Sequence, residues 1–441
     1  MTMKKIGFVT PWYGGEMQGG AEKEINSLMQ YLKHLGVNLE VLTTCCFGFH
    51  HDWQHNFFSE GDCEIDGMTV KRFPLNAREA EVFNNVNQKI LEYQKISKEE
   101  QQAFLDNFIN SEALYNYIYE HKEDYAFFVT IPYMVSSNIR AIEICPEKFI
   151  LIPCFHDEPY IYLDAYKAAI ENLAGIIYHA KPEFELANKV FDFKNTEQAT
   201  LGEIININFY GDGARFVEKY KIEEPFILYA GRKDKEKNVD TLIDYMCRYW
   251  DENPDNTIHL VMIGGGELCV PDKYKEKIHD LGYVSEQDKY DAYFASSALC
   301  QPSERESFSI VIMEEWVAKK PVIVNRNCNV TSYFVEETKG GFCFDDYLSF
   351  AKAVNDILYD KKKTKKMGKL GNKYVVNNFS KDTVVQRYRM FFVDINDKIN
   401  GKEGGGWAST QERILIWVQS RRKLLRPLRR IITRMMQYRS K

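Results

Sequence analysis

The chain has 441 residues, 45% of them hydrophobic, ten cysteines and a formal net charge of −6. That is too long for one ordinary core and enough for two well-buried domains, and no compositional bias or fixed period marks a disordered, fibrous or repeat protein. The charge is uneven: Gln411 to Lys441 holds ten Lys/Arg and one acid, a net +9, which leaves −15 on the preceding residues and argues against a nucleic-acid-binding body.

In chain order, "MTMKKIGFVTP" offers only a short apolar run after two lysines, so it reads as a first strand rather than a signal peptide. The loop "WYGGEMQGG" follows, with Gly14, Gly15, Gly19 and Gly20, and then a helix with Ile25, Leu28, Met29 and Leu32 at i, i+3, i+4, i+7. "VNLEVLTT" closes a βαβ unit, which predicts a parallel sheet. The segment at about 79–116 is polar with helical spacing and reads as a helical insertion. "AFFVTIP", "KFILIPCF" and "GIIYHA" continue the first strand series. After a charged, Gly-containing stretch at 209–224, a second series runs through "FILYAG", "TIHLVMIG", "SALCQPS" and "PVIVN". The last ordered helix is placed at 381–399, and "NGKEGGGWAST" (400–410) reads as a flexible linker. No cysteines form a C-x-x-C pair, so the ten read as reduced thiols of a cytoplasmic protein. No stretch reaches the ~18 apolar residues of a membrane span.

In open α/β sheets ligands sit beyond the carboxyl ends of strands, so the residues there are the candidates. Gly19 and Gly20 precede a helix N-terminus, where backbone N–H groups can approach a phosphate; a glycine-rich turn can equally be only a turn. Arg232 and Lys237 follow "FILYAG"; a rigid guanidinium fork and a mobile ammonium can hold a diphosphate, or both can be solvated cations. His156 follows "KFILIPCF" and is placed for hydrogen bonding or proton transfer, or for a structural role. In "SERESFSIVIMEEW", Glu306 falls in the turn and Glu314 about one and a half turns into the following helix, with Ser307 or Ser309 available to cap it. The two carboxylates could reach two parts of one ligand, or simply sit near the positive end of a helix.

Together these positions resemble glycosyltransferase family 4, of GT-B fold. "LYAGRKDKEKNVDTLI", "MIGGGE" and "LGYVSEQDKYDAYFASSALCQPSERESFSIVIMEEWVAKKPVIVN" follow in the family's order, with Glu306 and Glu314 in its Glu-x7-Glu element, "MQGGAEKEI" similar to its N-terminal glycine loop, and "CFHDEP" placing His156 at its histidine. The resemblance implies an α/β chain with two Rossmann-like domains facing across a cleft: 1–208 on the acceptor side, the linker 209–224, the donor domain 225–380, and the helix 381–399 crossing back. It implies a retaining transferase that moves a hexose-type sugar from a nucleotide-diphosphate-sugar, with no further cofactor and no metal, to a glycan or lipid-linked acceptor in bacterial surface polysaccharide assembly. Arg232 and Lys237 would neutralise the diphosphate, Gly19 and Gly20 approach it, and Glu314 hold the ribose. Glu306 would face the sugar, beside backbone groups near Ser307, Phe308 and Ser309; His156 would contact sugar or acceptor, and Gly282, Tyr283 and Val284 border the base. Ser307 and Ser309 stand where the family has glycines, and Asn238 stands where glycine is common. The alternatives are a GT-B sugar epimerase and a non-catalytic nucleotide-sugar-binding scaffold within a complex of glycan-assembly enzymes.

The tail, 411–441, opens with a possible capping box, Ser409-x-x-Glu412, and carries Trp417 and leucines at 3/4 spacing. Arg421 breaks that stripe, while Arg422, Lys423, Arg426, Arg429 and Arg430 lie among the cations of the other face. A basic amphipathic helix of this kind suits an anionic membrane surface, predicting peripheral attachment to the inner face of the cell membrane; self-association or docking on the acidic body is the alternative, with Pro427 against a long coil.

Overall fold

The computed structural model describes residues 4–15 and 20–401. The N-terminal sheet is built from β1 (Lys5–Trp12), β2 (Leu39–Cys46), β3 (Gly61–Ile65), β4 (Met68–Phe73), β5 (Tyr125–Thr130), β6 (Phe149–Leu151), β7 (Gly175–Tyr178) and β8 (Glu197–Thr200), in the order β3-β4-β2-β1-β5-β6-β7-β8. Every neighbouring pair is parallel except β3–β4. The central strands are buried on both faces, which is why they read as continuous apolar runs rather than alternating ones.

The second sheet holds β9 (Phe226–Ala230), β10 (His259–Ile263), β11 (Ile278–Gly282), β12 (Ala298–Gln301), β13 (Val322–Asn325) and β14 (Gly341–Phe344), in the order β11-β10-β9-β12-β13-β14 and parallel throughout. Strand order reverses between β9 and β12, so the loops leaving these two neighbours diverge and open a crevice at their carboxyl ends. The same reversal occurs between β1 and β5 in the first sheet.

The segment 79–116 holds the helices Ala80–Leu91 and Lys98–Asn107 and the start of Glu112–His121. They close on an aromatic cluster, with Phe83 5.1 Å from Phe104 and 5.0 Å from Phe108 between ring centroids. The helix Lys381–Ile399 leaves the second domain and lies on the first. Phe392 stands 5.2 Å from Phe127 of β5, and a side chain on Gly175 at the start of β7 would meet Phe391 and Ile395 at 2.9 Å. That close approach is the reason β7 opens on glycine.

Two features differ from the sequence reading. The linker 209–224 contains a helix, Gly213–Tyr220, capped by Asp212 and held to the helix Glu286–Ala295 by ion pairs from Arg215 to Asp291 and Lys219 to Asp288. Its charge made it look like linker, yet that charge is what docks it. The β3–β4 hairpin was also missed, although Asp66-Gly67 marks it: both residues have positive φ, 49° and 73°, as a two-residue type I′ turn requires.

Phe392 is 3% exposed in the seam between the return helix and the first sheet. Phe392→Ala should therefore cost about 3–5 kcal/mol, read from urea unfolding; a loss below ~1 kcal/mol would mean the helix does not anchor the first domain.

Candidate functional site

The β9 loop is pinned by side chains. The Tyr229 hydroxyl donates to the Arg232 carbonyl, the buried Lys233 pairs with Asp280, and Asp234 accepts from the Lys237 amide at 3.0 Å. With the main chain pinned, two cations project from it. The Arg232 guanidinium, about half exposed, lies 3.3 Å from both Asp234 Oδ2 and the Nε2 of His50 in the first domain. Lys237 Nζ reaches across the crevice to Glu306 Oε1 at 2.7 Å, and Gln301 Nε2 donates to the same oxygen at 2.8 Å. Glu306 leaves β12 and Lys237 leaves β9, so the pair bridges the two strands at the order reversal.

The loop after β12 is anchored by Phe308, which is 1% exposed and packs edge-on to Phe334 and Phe379 at 5.4 and 4.8 Å. Ser307 beside it is half-buried. Ser309 occupies the position before the helix Ile310–Val317 with φ 74° and ψ 79°, and its side chain makes no cap bond. The expectation is that Ser307 or Ser309 caps the helix; Ser309 holds the cap position with a left-handed backbone, and its buried Oγ has no hydrogen-bond partner. Asn238 likewise has φ 54°. Of the three departures from glycine, Ser309 and Asn238 thus sit where glycine would be unstrained, while Ser307 does not have positive φ.

The four glutamates separate. Glu304 is exposed. Glu314 is held by Lys289 Nζ, at 2.8 and 3.0 Å to its two oxygens, and by the Tyr293 hydroxyl at 2.7 Å. Glu315 is fully buried and accepts from Ser296 Oγ at 2.6 Å; burial pushes its carboxyl well above the ordinary range.

On the opposite wall His156 Nδ1 stands 3.6 Å from Glu158 Oε1, which also accepts from the Tyr133 hydroxyl at 2.8 Å. Burial pushes the Glu158 carboxyl up, but His156, Tyr133 and the field of Arg305 from the second domain outweigh it and hold the group below its usual value. Gly20 opens the helix Gly20–His34, with nothing within 4 Å of where a Cβ would point. Gly282 has φ 62°; exposed Tyr283 puts its hydroxyl over Gly265, where an added Cβ would come within 2.4 Å, and half-buried Val284 packs on the core. Gly19, and Trp417, Arg421, Arg422, Lys423, Arg426, Arg429 and Arg430 of the tail, lie outside the described residues. No helix among the described residues is long and apolar enough to cross a membrane.

Sequence reasoning did not single out His50, Gln301, Lys289 or Tyr293. Gln301 was within reach, since it ends a strand at the crevice. The others become relevant only through contacts made across the fold.

Residues 213–374 match the family described as Glycosyl transferases group 1, and the whole arrangement is the GT-B fold. The class is therefore a two-domain GT-B protein with a Glycosyl transferases group 1 domain on its C-terminal side. Among solved structures, Anabaena Alr3699/HepE in complex with UDP and glucose aligns with a TM-score of 0.61 at 14% identity, over 88% of this chain and 99% of its own. WaaG, a glycosyltransferase involved in lipopolysaccharide biosynthesis, aligns at 0.58 and 13%, over 90% and 100%. Among curated proteins, the lipopolysaccharide core biosynthesis glycosyltransferase LpsE of Rhizobium meliloti (strain 1021) is 25% identical over 195 residues, 41% of this chain and 55% of LpsE. The match thus spans about half the length of that relative. Spore coat protein SA of Bacillus subtilis (strain 168) is 23% identical over 272 residues, 54% of this chain and 70% of its own.

A non-glycine residue in the left-handed region carries roughly 1–2 kcal/mol of strain. Ser309→Gly should stabilise the second domain by about 1 kcal/mol and raise its melting temperature, whereas Ser309→Val should lower it. A lower melting temperature for Ser309→Gly would show that the serine is not strained.

Proposed function

We propose that the chain is a retaining, metal-independent transferase of glycosyltransferase family 4. It would move a hexose-type sugar from a nucleotide-diphosphate-sugar to a glycan or lipid-linked acceptor, in surface polysaccharide assembly. The observation that carries this reading is the Lys237–Glu306 pair, 2.7 Å apart across the β9/β12 crevice, with Arg232 on the same loop as Lys237. Glu306 holds Lys237 in place until a donor arrives. An incoming diphosphate takes over Lys237 and Arg232 and frees Glu306 to accept hydrogen bonds from sugar hydroxyls. The N-terminal backbone of the helix Ile310–Val317 adds partial positive charge on the same side.

As the bond from the anomeric carbon to the diphosphate oxygen breaks, positive charge grows on the sugar ring and negative charge on the leaving group. Two fixed cations stabilise that leaving group in the role a metal plays elsewhere. The acceptor hydroxyl forms the new bond on the same face, and its proton passes to the departing phosphate oxygen, so configuration is retained. Glu314 takes the ribose hydroxyls by giving up one of its two partners, Lys289 or Tyr293. His156, set by Glu158, serves the sugar or acceptor.

The acceptor class is supported by the part LpsE and WaaG play in lipopolysaccharide biosynthesis and by the +9 tail, whose charge suits the inner, anionic face of the cell membrane.

Glu306→Ala and Lys237→Ala should each lower turnover about a hundredfold or more, measured with a panel of nucleotide sugars, and NMR of the product should show the donor's anomeric configuration. Full activity in both variants would refute the site, and an isomerised donor formed without acceptor would replace transferase with epimerase. Cutting the chain after Thr410 should abolish binding to anionic liposomes while leaving donor hydrolysis intact; unchanged liposome binding would end the membrane assignment.

A further inference from the structure

At the carboxyl edge of the first sheet lies a cluster that the transfer chemistry does not use. Glu24 comes from the first helix, Cys154 from the loop after β6, and His179 from the residue after β7. Their ligand atoms all lie within 4.8 Å of one another. His179 is 1% exposed and Glu24 8%, while Cys154 is half-buried. His179 Nε2 is 2.9 Å from Glu24 Oε1. Its Nδ1 has no hydrogen-bond partner, with Glu183 Oε2 3.7 Å away.

Glu183 and Glu203, 1% and 7% exposed, bring the buried carboxyl groups of this region to three. No ion pair joins any of the three to a lysine or arginine among the described residues. Buried carboxylates are retained when they are paired or bind a cation. Glu183 is committed elsewhere: its two oxygens accept from the amides of Phe155, at 2.8 Å, and His179, at 2.6 Å. It therefore fixes the main chain next to Cys154 and at His179, as a carboxylate behind a ligand set does.

We propose that Glu24, Cys154 and His179 form a structural binding site for a divalent cation of the zinc class. One carboxylate, one thiolate and one imidazole form a donor set suited to zinc. Tetrahedral ligands at zinc distances stand roughly 3.3–3.8 Å apart, so on binding the widest separations close by about 1–1.5 Å while the 2.9 Å contact between His179 Nε2 and Glu24 Oε1 opens by roughly 0.4 Å. The Cys154 thiol proton and the His179 Nε2 proton that now bonds Glu24 both leave to solvent as the metal enters, and the imidazole keeps a proton only on Nδ1, on the side of Glu183. The ion would tie the first helix to the ends of β6 and β7, stiffening the wall that faces Phe308 of the second domain, 6.3 Å from the His179 ring. It has no part in the transfer step, and the inference stands whether or not the transferase reading does.

The test uses the full chain, stripped with chelator and reconstituted with Zn2+ or Co2+. Elemental analysis should find one zinc per chain, and the cobalt form should show a thiolate-to-metal charge-transfer band. Zn2+ should raise the melting temperature and shield Cys154 from alkylation, mapped by mass spectrometry. Cys154→Ser should lose the band, and Cys154→Ser and His179→Gln should bind about 100-fold or more weakly; Cys63→Ser, an exposed thiol elsewhere, should bind as the unaltered chain does. Substoichiometric metal in the reconstituted chain, a band that survives Cys154→Ser, or equal alkylation of Cys154 with and without Zn2+ would each overturn the site. The alkylation comparison needs no variant and decides the matter even if a substituted chain fails to fold.

Discussion

The contact between Lys237 and Glu306 organises this molecule. Each charge alone at the rim of a crevice would be loosely held, and Glu306 alone would oppose an anionic ligand. Paired at 2.7 Å, with Gln301 on the same oxygen, each fixes the other's position. Such a pair is also exchangeable, because a diphosphate offers Lys237 more negative charge than one carboxylate does. The crevice exists because strand order reverses between β9 and β12, and both partners leave the sheet at that reversal.

The opposing wall depends on a different constraint. The first domain is held to the second by the return helix Lys381–Ile399, and one connected apolar cluster runs from β1 through Phe308 to Phe391 and Phe392. One polar contact then crosses the cleft, Arg232 with His50, and the field of Arg305 helps hold the Glu158 carboxyl below its usual range. The helix Gly213–Tyr220 extends this logic, since its Arg and Lys side chains dock it on acids of the second domain.

Ser309 and Asn238 show how a glycine position can be filled without losing its shape. Both keep the left-handed backbone that the loops require. Asparagine tolerates it better than most residues. Serine carries the strain and leaves its hydroxyl buried without a partner, tolerable because Phe308 beside it is locked into an aromatic core.

Much of the architecture was legible in the chain itself. Buried parallel strands announce themselves as apolar runs, and the amphipathic spacing of Ile25, Leu28, Met29 and Leu32 marks the first helix because helical period and burial coincide there. Arg232, Lys237, His156 and Glu306 could be named as candidates because they follow strands, where such sheets present side chains, and Glu314 from its spacing to Glu306 on the next helix. Short or half-exposed strands such as β3, β8 and β11 escaped, because their residues lack the apolar signal. The partners of each charge were beyond the sequence as well. That Lys289 and Tyr293 hold Glu314, that Ser296 donates to Glu315, and that Glu24, Cys154 and His179 converge are facts of three-dimensional proximity between segments up to 155 residues apart. Local sequence determines which groups a strand end or helix face can present. Only the packing of both sheets and the return helix decides which of those groups meet, because ion pairing and coordination depend on distances that the chain order does not contain.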